Sequence, residues 1–280
     1  MRRFTTILAF LAVCGMCLAQ RGEGRRGFRR NRGNVDITSD RHGVPDWEVD
    51  AEFPEDVFTF VRLKYSASGG RGGWGWGWEK WATDYPDSDL NFSFRLQQLT
   101  SLRVNPDPVV LELNDPRLFD YPFLYIIEPG RGFGITPESA ETLRRYCLNG
   151  GFVMVDDFWG EDEWYGFYQD LKVVFPDREP QELPLEHPLF HCVYDLTEKP
   201  QVPSIGHAMS GYRTERWDAR EAHYRAVLDD DNRIMMIICH NTDLGDGWER
   251  EGENEDYFHQ FSEKWAYPMG INIVFYAMTH

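Results

Sequence analysis

Apolar residues recur at two spacings along this chain, and the points where one spacing gives way to the other outline its elements. Val57-Phe-Thr-Phe-Val-Arg-Leu-Lys-Tyr65 alternates and is rich in β-branched and aromatic residues, which predicts a first strand. Beyond a Gly/Trp-rich loop from Gly69 to Trp81, Asp87-Ser88-Asp89 offers capping side chains ahead of Phe92, Leu96 and Leu99, a helical stripe that ends near Arg103. Pro108 to Leu113 predicts a short strand, and Phe123-Leu-Tyr-Ile-Ile127 is apolar throughout, as a strand covered on both faces of a parallel sheet must be. Thr136-Pro137 reads as an N-cap with proline at the first helical position. It opens a helix with Ala140, Leu143 and Cys147 facing inward, which Gly150-Gly151 stops. Phe152 to Asp156 predicts another buried strand and Glu161 to Leu171 another helix. Residues 172–222 are Pro-rich and irregular, with short strands at best. His223 to Leu228 and Arg233 to His240 flank the turn Asp229-Asp230-Asp231-Asn232 as paired late strands. Gly270 to Thr279 contains β-branched residues, yet Ile271, Val274, Phe275 and Met278 fall at helical spacing and predict a helix. Strands alternating with helices predict an α/β fold with a mostly parallel sheet and helices on both faces.

The N-terminus has a different character. Met1-Arg2-Arg3 is a positive start, Phe4 to Leu18 an apolar stretch too short for a stable membrane span, and Cys17-Leu18-Ala19 a small-x-small cleavage signal. A secretory signal peptide cut after Ala19 is expected, and with it a secreted or periplasmic location. Lipidation is disfavoured because Val13 precedes Cys14 and Met16 precedes Cys17, where a lipobox wants a small residue. Residues 20–46 hold six arginines from Arg21 to Arg32 among glycines, with little to bury, and read as a disordered basic linker. The folded domain is expected over 47–280, and no further segment is apolar enough for a membrane span, so the mature chain has no transmembrane segment.

Charge narrows the function classes. Nine of the 29 basic residues and four of the 46 acidic ones lie within 1–46, leaving 20 bases against 42 acids in the remainder, a net of −22. Such a body repels phosphate backbones, so no nucleic-acid partner is expected. Three cysteines follow the signal, Cys147, Cys192 and Cys239, an odd number without CxxC spacing, so at most one disulfide forms and three buried thiols are the plainer reading.

In an open parallel sheet, ligands bind beyond the carboxyl ends of the strands. The residues that follow the predicted strands are the Gly/Trp loop, Asn114-Asp115, Glu128, Asp156-Asp157 with Trp159, and His240-Asn241 with Asp243. Carboxylates, one imidazole and several indoles on one edge suit a sugar, a small polar ligand or a divalent metal, with Trp as a stacking face. Asp115 and Asp157 equally suit caps of the segments they precede. Familiar motifs fail: Asp87-x-Asp89-x-Asn91 has Phe92 and Gln98 where a calcium loop needs Gly and Glu, and His187-Pro-Leu-Phe-His191 lacks the Glu of a zinc-protease helix. No G-x-S-x-G, P-loop or dinucleotide fingerprint is present. Cys239 and His240 point to opposite faces of a strand, and Cys147 lies on an apolar helix face, so cysteine catalysis is not expected.

Five stretches together, Trp81 to Phe92, Asp120 to Tyr125, Gly150 to Gly160, His240 to Trp248 and Ala266 to Ile273, resemble the bacterial family catalogued as domain of unknown function 4159. The resemblance covers residues 57–280. It implies a flavodoxin-like, class I glutamine amidotransferase-like three-layer sandwich. The amidotransferases of that fold carry a nucleophilic cysteine in a strand-to-helix elbow, whereas Val155-Asp-Asp-Phe-Trp159 has no Cys, Ser or Thr, so amide hydrolysis by that route is not expected. The motifs put forward Asp84, Asp87, Asn241, Asp243, Asp246 and Trp159, with Trp76 of the loop, as ligand-binding residues, and Asp156, Asp157 and His240 as the catalytic set. The leading expectation is a cell-envelope module that binds a polysaccharide or a small polar ligand. Its rival is a carboxylate/His hydrolase, metal-assisted in one version, and a third reading is assembly with an envelope protein through the acidic 243–256 segment. No particular cofactor follows from the residues.

Overall fold

The computed structural model describes residues 41–52, 56–66 and 79–280. The segments read as signal peptide, most of the basic linker, and most of the Gly/Trp loop, Trp76 included, lie outside the described residues.

Among the described residues seven strands form one sheet in the order β2-β1-β3-β4-β7-β6-β5. β1 (Val61–Leu63), β2 (Val109–Leu111), β3 (Phe123–Ile127), β4 (Phe152–Asp156) and β7 (Ile234–His240) are mutually parallel, each paired to its neighbour in register, as in Phe123 opposite Phe152 and Val153 opposite Met236. β6 (His223–Leu228) and the two-residue β5 (Gln181–Glu182) close the edge antiparallel, β6 and β7 forming the expected late pair around the turn at Asp229 to Asn232. β3 and β4 are buried at every position, which explains their unbroken apolar runs.

Two apolar layers flank this sheet. On one side α2 (Pro137–Leu148) and α3 (Gly160–Val174) bury Ala140, Leu143, Phe167 and Leu171 against Val61, Leu124, Val153 and Ile238. On the other, α1 (Asp87–Leu99), the short α5 (Leu244–Glu249) and α7 (Tyr267–Thr279) bury Phe92, Trp248 and Ile271 against Phe60, Tyr125 and Ile237. The short α4 (Ile205–Met209) lies within the irregular 172–222 stretch, and α6 (Glu255–Tyr257) runs through a π-helical segment, Phe258–Ala266, into α7. The C-terminal run is therefore helical, as its spacing predicts. Among the described residues no helix is long and apolar enough to cross a membrane.

Local signals act where expected in α2: Thr136 Oγ1 accepts from Ser139 N–H at 3.2 Å, while Ser139 Oγ accepts from Thr136 N–H at 2.8 Å. In α1 they do not. The N-cap is Pro86 with no side-chain cap; Asp89 is instead sealed inside against Arg62, and Leu99 is half exposed at the helix end, so the inward stripe stops at Leu96. Asp115 does cap, accepting from Arg117 N–H at 3.0 Å. Cys147, Cys192 and Cys239 are all free thiols; Cys147 and Cys239 are buried, while Cys192 is exposed rather than the third buried thiol.

Candidate functional site at the carboxyl rim of the sheet

The three central parallel strands each end on a polar residue in the left-handed backbone region: Glu128 after β3 (φ 50°), Asp157 after β4 (φ 55°) and Asn241 after β7 (φ 63°). Asp84, ahead of α1, adopts the same conformation (φ 61°). Non-glycine residues held there cost backbone energy and concentrate at sites of function. The turn also decides where each side chain goes after leaving its strand.

Asp84, Asp157 and Asp243 meet. They come from three separate loops, are 6 %, 7 % and 4 % exposed, and offer oxygens that all lie within 4.8 Å of one another. Asp84 also groups with Asp246 and Glu249. At this spacing two buried negative charges repel by roughly 3 kcal/mol for an effective dielectric of about 20. Burial, then the neighbouring carboxylates, push all three carboxyls well above the usual range: Glu249, Asp246 and Asp157 act on Asp84; Glu128, Glu215 and Asp156 on Asp157; and Asp157, Asp84 and Asp246 on Asp243.

Few donors offset this charge. Asp157 Oδ1 accepts from the Trp159 indole N–H at 3.2 Å, Asp243 Oδ1 accepts from Asp246 N–H at 2.7 Å as the cap of α5, and the buried Asp84 Oδ2 has no partner among the described residues. Asp156 stands beside them at the end of β4, fully buried. Its Oδ2 accepts from the Tyr125 hydroxyl and from Gly245 N–H, both at 3.0 Å, its Oδ1 has no partner, and burial lifts its carboxyl to about 7. Other acids nearby are neutralised. Asp246 accepts from Arg250 Nε at 3.1 Å and from Ile205 N–H at 2.6 Å, and Asp89 takes Arg62 Nε at 3.0 Å. Arg62, fully buried, also donates to the carbonyls of Trp81 (3.0 Å) and Thr83 (2.9 Å), and so anchors the segment that delivers Asp84.

A cleft of about 350 Å³ opens beside the trio. Lys80, Arg131 and Arg216 line it together with Glu128, Asp157, Glu163 and Glu215, and Trp159 forms a wall. Lys80 Nζ pairs with Glu128 at 2.7 Å, and Glu163 pairs with Arg216 while accepting from Trp159 N–H at 2.9 Å. A larger hollow of about 490 Å³ lies among Glu198 to Ala222 and the π-helical segment, with Gln201 and Glu221 on its wall bonded to Asn241 beyond β7. None of its lining residues is buried, and it holds none of the clustered acids. The smaller cleft is the better candidate, because buried, unbalanced charge adjoins it.

The expected residues therefore part company. His240 does not share the hollow: its side chain lies on the α3 face, beside Phe158 and Trp164, with Nε2 donating to Gly160 C=O at 3.1 Å and Nδ1 accepting from Arg225 at 3.1 Å. Burial lowers its basicity to about 3. Asn241 stitches β7 to α3, accepting from Gly160 N–H at 2.8 Å and donating to Glu221 C=O at 2.9 Å. Asp87 turns outward to His42, and Asp246 is held by Arg250, Ile205 and Tyr257. Trp159 is 3 % exposed with its N–H engaged, so it walls the cleft rather than presenting an open ring. Asp157 does not cap α3, whose first N–H groups are met from other segments: Asn241 accepts from Gly160 N–H at 2.8 Å and Asp218 from Glu161 N–H at 3.1 Å. Glu215 and Arg216 carry no periodic signal in the irregular stretch, whereas Glu128 was visible as the residue directly after an apolar strand.

A family model described as "Domain of unknown function (DUF4159)" matches residues 59–278, nearly all of the described chain. The chain belongs to this family. No curated protein matches it. The DUF4159 match spans every strand of the sheet and all the loops that bring Asp84, Asp157 and Asp243 together.

Proposed function

We propose that this DUF4159 chain is a binding module for a small polar or carbohydrate ligand, held in the rim cleft beside Asp157, and that it works in the cell envelope. The observation that carries the reading is the cleft itself: cations from Lys80, Arg131 and Arg216 interleave with carboxylates at the carboxyl ends of parallel strands, where open α/β sheets take their ligands. Alternating charge suits a ligand with both donors and acceptors, such as a polyhydroxylated ring. The strand order β2-β1-β3-β4, with β7 next, is that of flavodoxin-like sheets, in which the β1/β3 boundary is the switch point. It supports the flavodoxin-like, amidotransferase-like sandwich, and Glu128 and Lys80 flank that boundary. The signal-like N-terminus supports an extracytoplasmic location.

One observation favours a second reading, hydrolysis through carboxylates. Asp157 faces the cleft with a raised affinity for its proton, as a general acid requires. Its base would be Glu128 or Glu215, since His240 is engaged elsewhere.

The test is calorimetric titration of the purified chain with a panel of mono- and oligosaccharides and small polar compounds. Binding that weakens at least tenfold in Arg216→Ala or Lys80→Ala, with the melting temperature preserved, supports the cleft. Absence of binding across the panel overturns it, and turnover of a bound glycoside would move the reading to the hydrolase.

A further inference from the structure

Two other buried acids in this fold are matched by a guanidinium, Asp89 by Arg62 and Asp246 by Arg250. Asp84, Asp157 and Asp243 are equally buried, yet among the described residues none of them has a Lys, Arg or His nitrogen within ion-pair distance. Three carboxylates gathered with only the more distant Arg62 acting on one of them, Asp84, leave strongly solvated groups under-compensated. The deficit is visible atom by atom. Asp84 Oδ2 is sealed from solvent and accepts no hydrogen bond, and Asp156 Oδ1, on the residue before Asp157, is a second sealed oxygen without a partner. Space is kept for the first of these by Gly245, where a Cβ would stand 2.8 Å from Asp84 Oδ2 and 2.9 Å from the Tyr125 hydroxyl.

We propose that Asp84, Asp157 and Asp243 together bind a hard divalent cation, Mg²⁺ or Ca²⁺, beside the rim cleft that Asp157 lines. The donor set is oxygen throughout, which suits hard ions and disfavours zinc or copper, whose sites draw on imidazole and thiolate. Oxygens within 4.8 Å of one another share a point no more than about 2.8 Å from each, so movements of a few tenths of an ångström at most bring them to the roughly 2.0–2.6 Å such ions require. The alternative grouping of Asp84 with Asp246 and Glu249 already carries Arg250, which pairs with both acids, so the positive charge missing from the fold belongs with Asp157 and Asp243. Three protein ligands leave coordination positions for water or for oxygens of a ligand. Asp157 is common to trio and cleft, so the ion deepens the polar-ligand reading and narrows the ligand to one with hydroxyl, carboxylate or phosphate oxygens that can join its shell. The ion itself binds without that ligand.

The experiment uses the full chain stripped with EDTA and titrated calorimetrically with MgCl₂, CaCl₂ and ZnCl₂, with melting followed in parallel and no organic ligand present. One equivalent of Mg²⁺ or Ca²⁺ is expected to bind and to raise the melting temperature. Asp84→Asn and Asp243→Asn should each weaken binding at least tenfold, while the metal-free melting temperature of each stays at or above that of the parent because one repelling charge is gone. Asn keeps the cap that Asp243 provides to α5. Neither heat nor a melting shift with Mg²⁺ or Ca²⁺ at millimolar concentration overturns the proposal, as does tighter binding of Zn²⁺ at this trio. Loss of binding with a lowered metal-free melting temperature in both variants would give the trio a structural role instead and equally overturn it. Saccharide binding that persists without any cation site would leave the cleft standing alone.

Discussion

Arg225 Nη1 donates to His240 Nδ1 at 3.1 Å across the antiparallel β6–β7 pair, which makes the imidazole a neutral acceptor on that nitrogen and a donor, through Nε2, to Gly160 C=O. A protonated ring would set two cations against each other in a buried place. His240 is thus a structural joint between β7 and the start of α3.

This joint predicts an acid-side stability loss. The folded-state affinity of His240 for its proton is depressed from the ordinary 6.5 to about 3, first by burial. The unfolded chain therefore binds more protons between those values, so the contribution is complete above about pH 6.5 and is lost as pH falls toward 3. Denaturant unfolding between pH 4 and 8 should show stability declining toward acid. In His240→Gln that decline should flatten, with a difference between the two proteins on the order of a few kcal/mol at most.

Arg62 and Asp89 form a fully buried pair that also holds Trp81 and Thr83 in place. Arg62→Met strands Asp89 and two carbonyls without donors and should cost about 3–5 kcal/mol in urea unfolding. Arg62→Met combined with Asp89→Leu should recover part of that loss, but not ligand or cation binding, because the segment bearing Asp84 loses its anchor. Full recovery of binding in the double variant would show that Asp84 is positioned without Arg62.

Gly166 of α3 lies against the turn Pro129–Arg131, where a Cβ would stand 2.4 Å from the Gly130 carbonyl oxygen. Gly166→Ala should lower stability by about 1–3 kcal/mol and weaken cleft binding by displacing Arg131. Gly206→Ala in α4 has nothing within 4 Å of the added carbon and should be neutral or slightly stabilising. Thermal unfolding of the two variants side by side checks the contrast.

Of Cys147, Cys192 and Cys239, only Cys192 reaches solvent. Its Sγ donates to Asn272 C=O at 3.2 Å, and partial desolvation raises its thiol, so its reaction with a thiol reagent should be single and slow in the native state. All three should react after unfolding. Mass spectrometry of the labelled protein reads the sites directly, and fast native labelling of Cys147 or Cys239 would contradict the packing.

Much of this was legible in the chain. The unbroken runs Phe123 to Ile127 and Phe152 to Asp156 announced central parallel strands, Thr136-Pro137 announced α2, and the acids after each strand announced the rim, because burial periodicity and capping are local effects written in neighbouring residues. The tertiary structure alone decided which of those acids meet. Asp157 and His240 both stand at strand ends, yet a left-handed turn at Asp157 sends its carboxylate to Asp84 and Asp243, while His240, the last residue of β7, keeps the strand's alternation and faces Phe158 and Trp164. Likewise Asp89 looked like a cap and became the partner of Arg62, 27 residues away. A one-dimensional pattern records which residues avoid water; the direction a side chain takes beyond a strand end depends on a single dihedral and on which loops strand order brings alongside, and both are settled only when the distant segments pack.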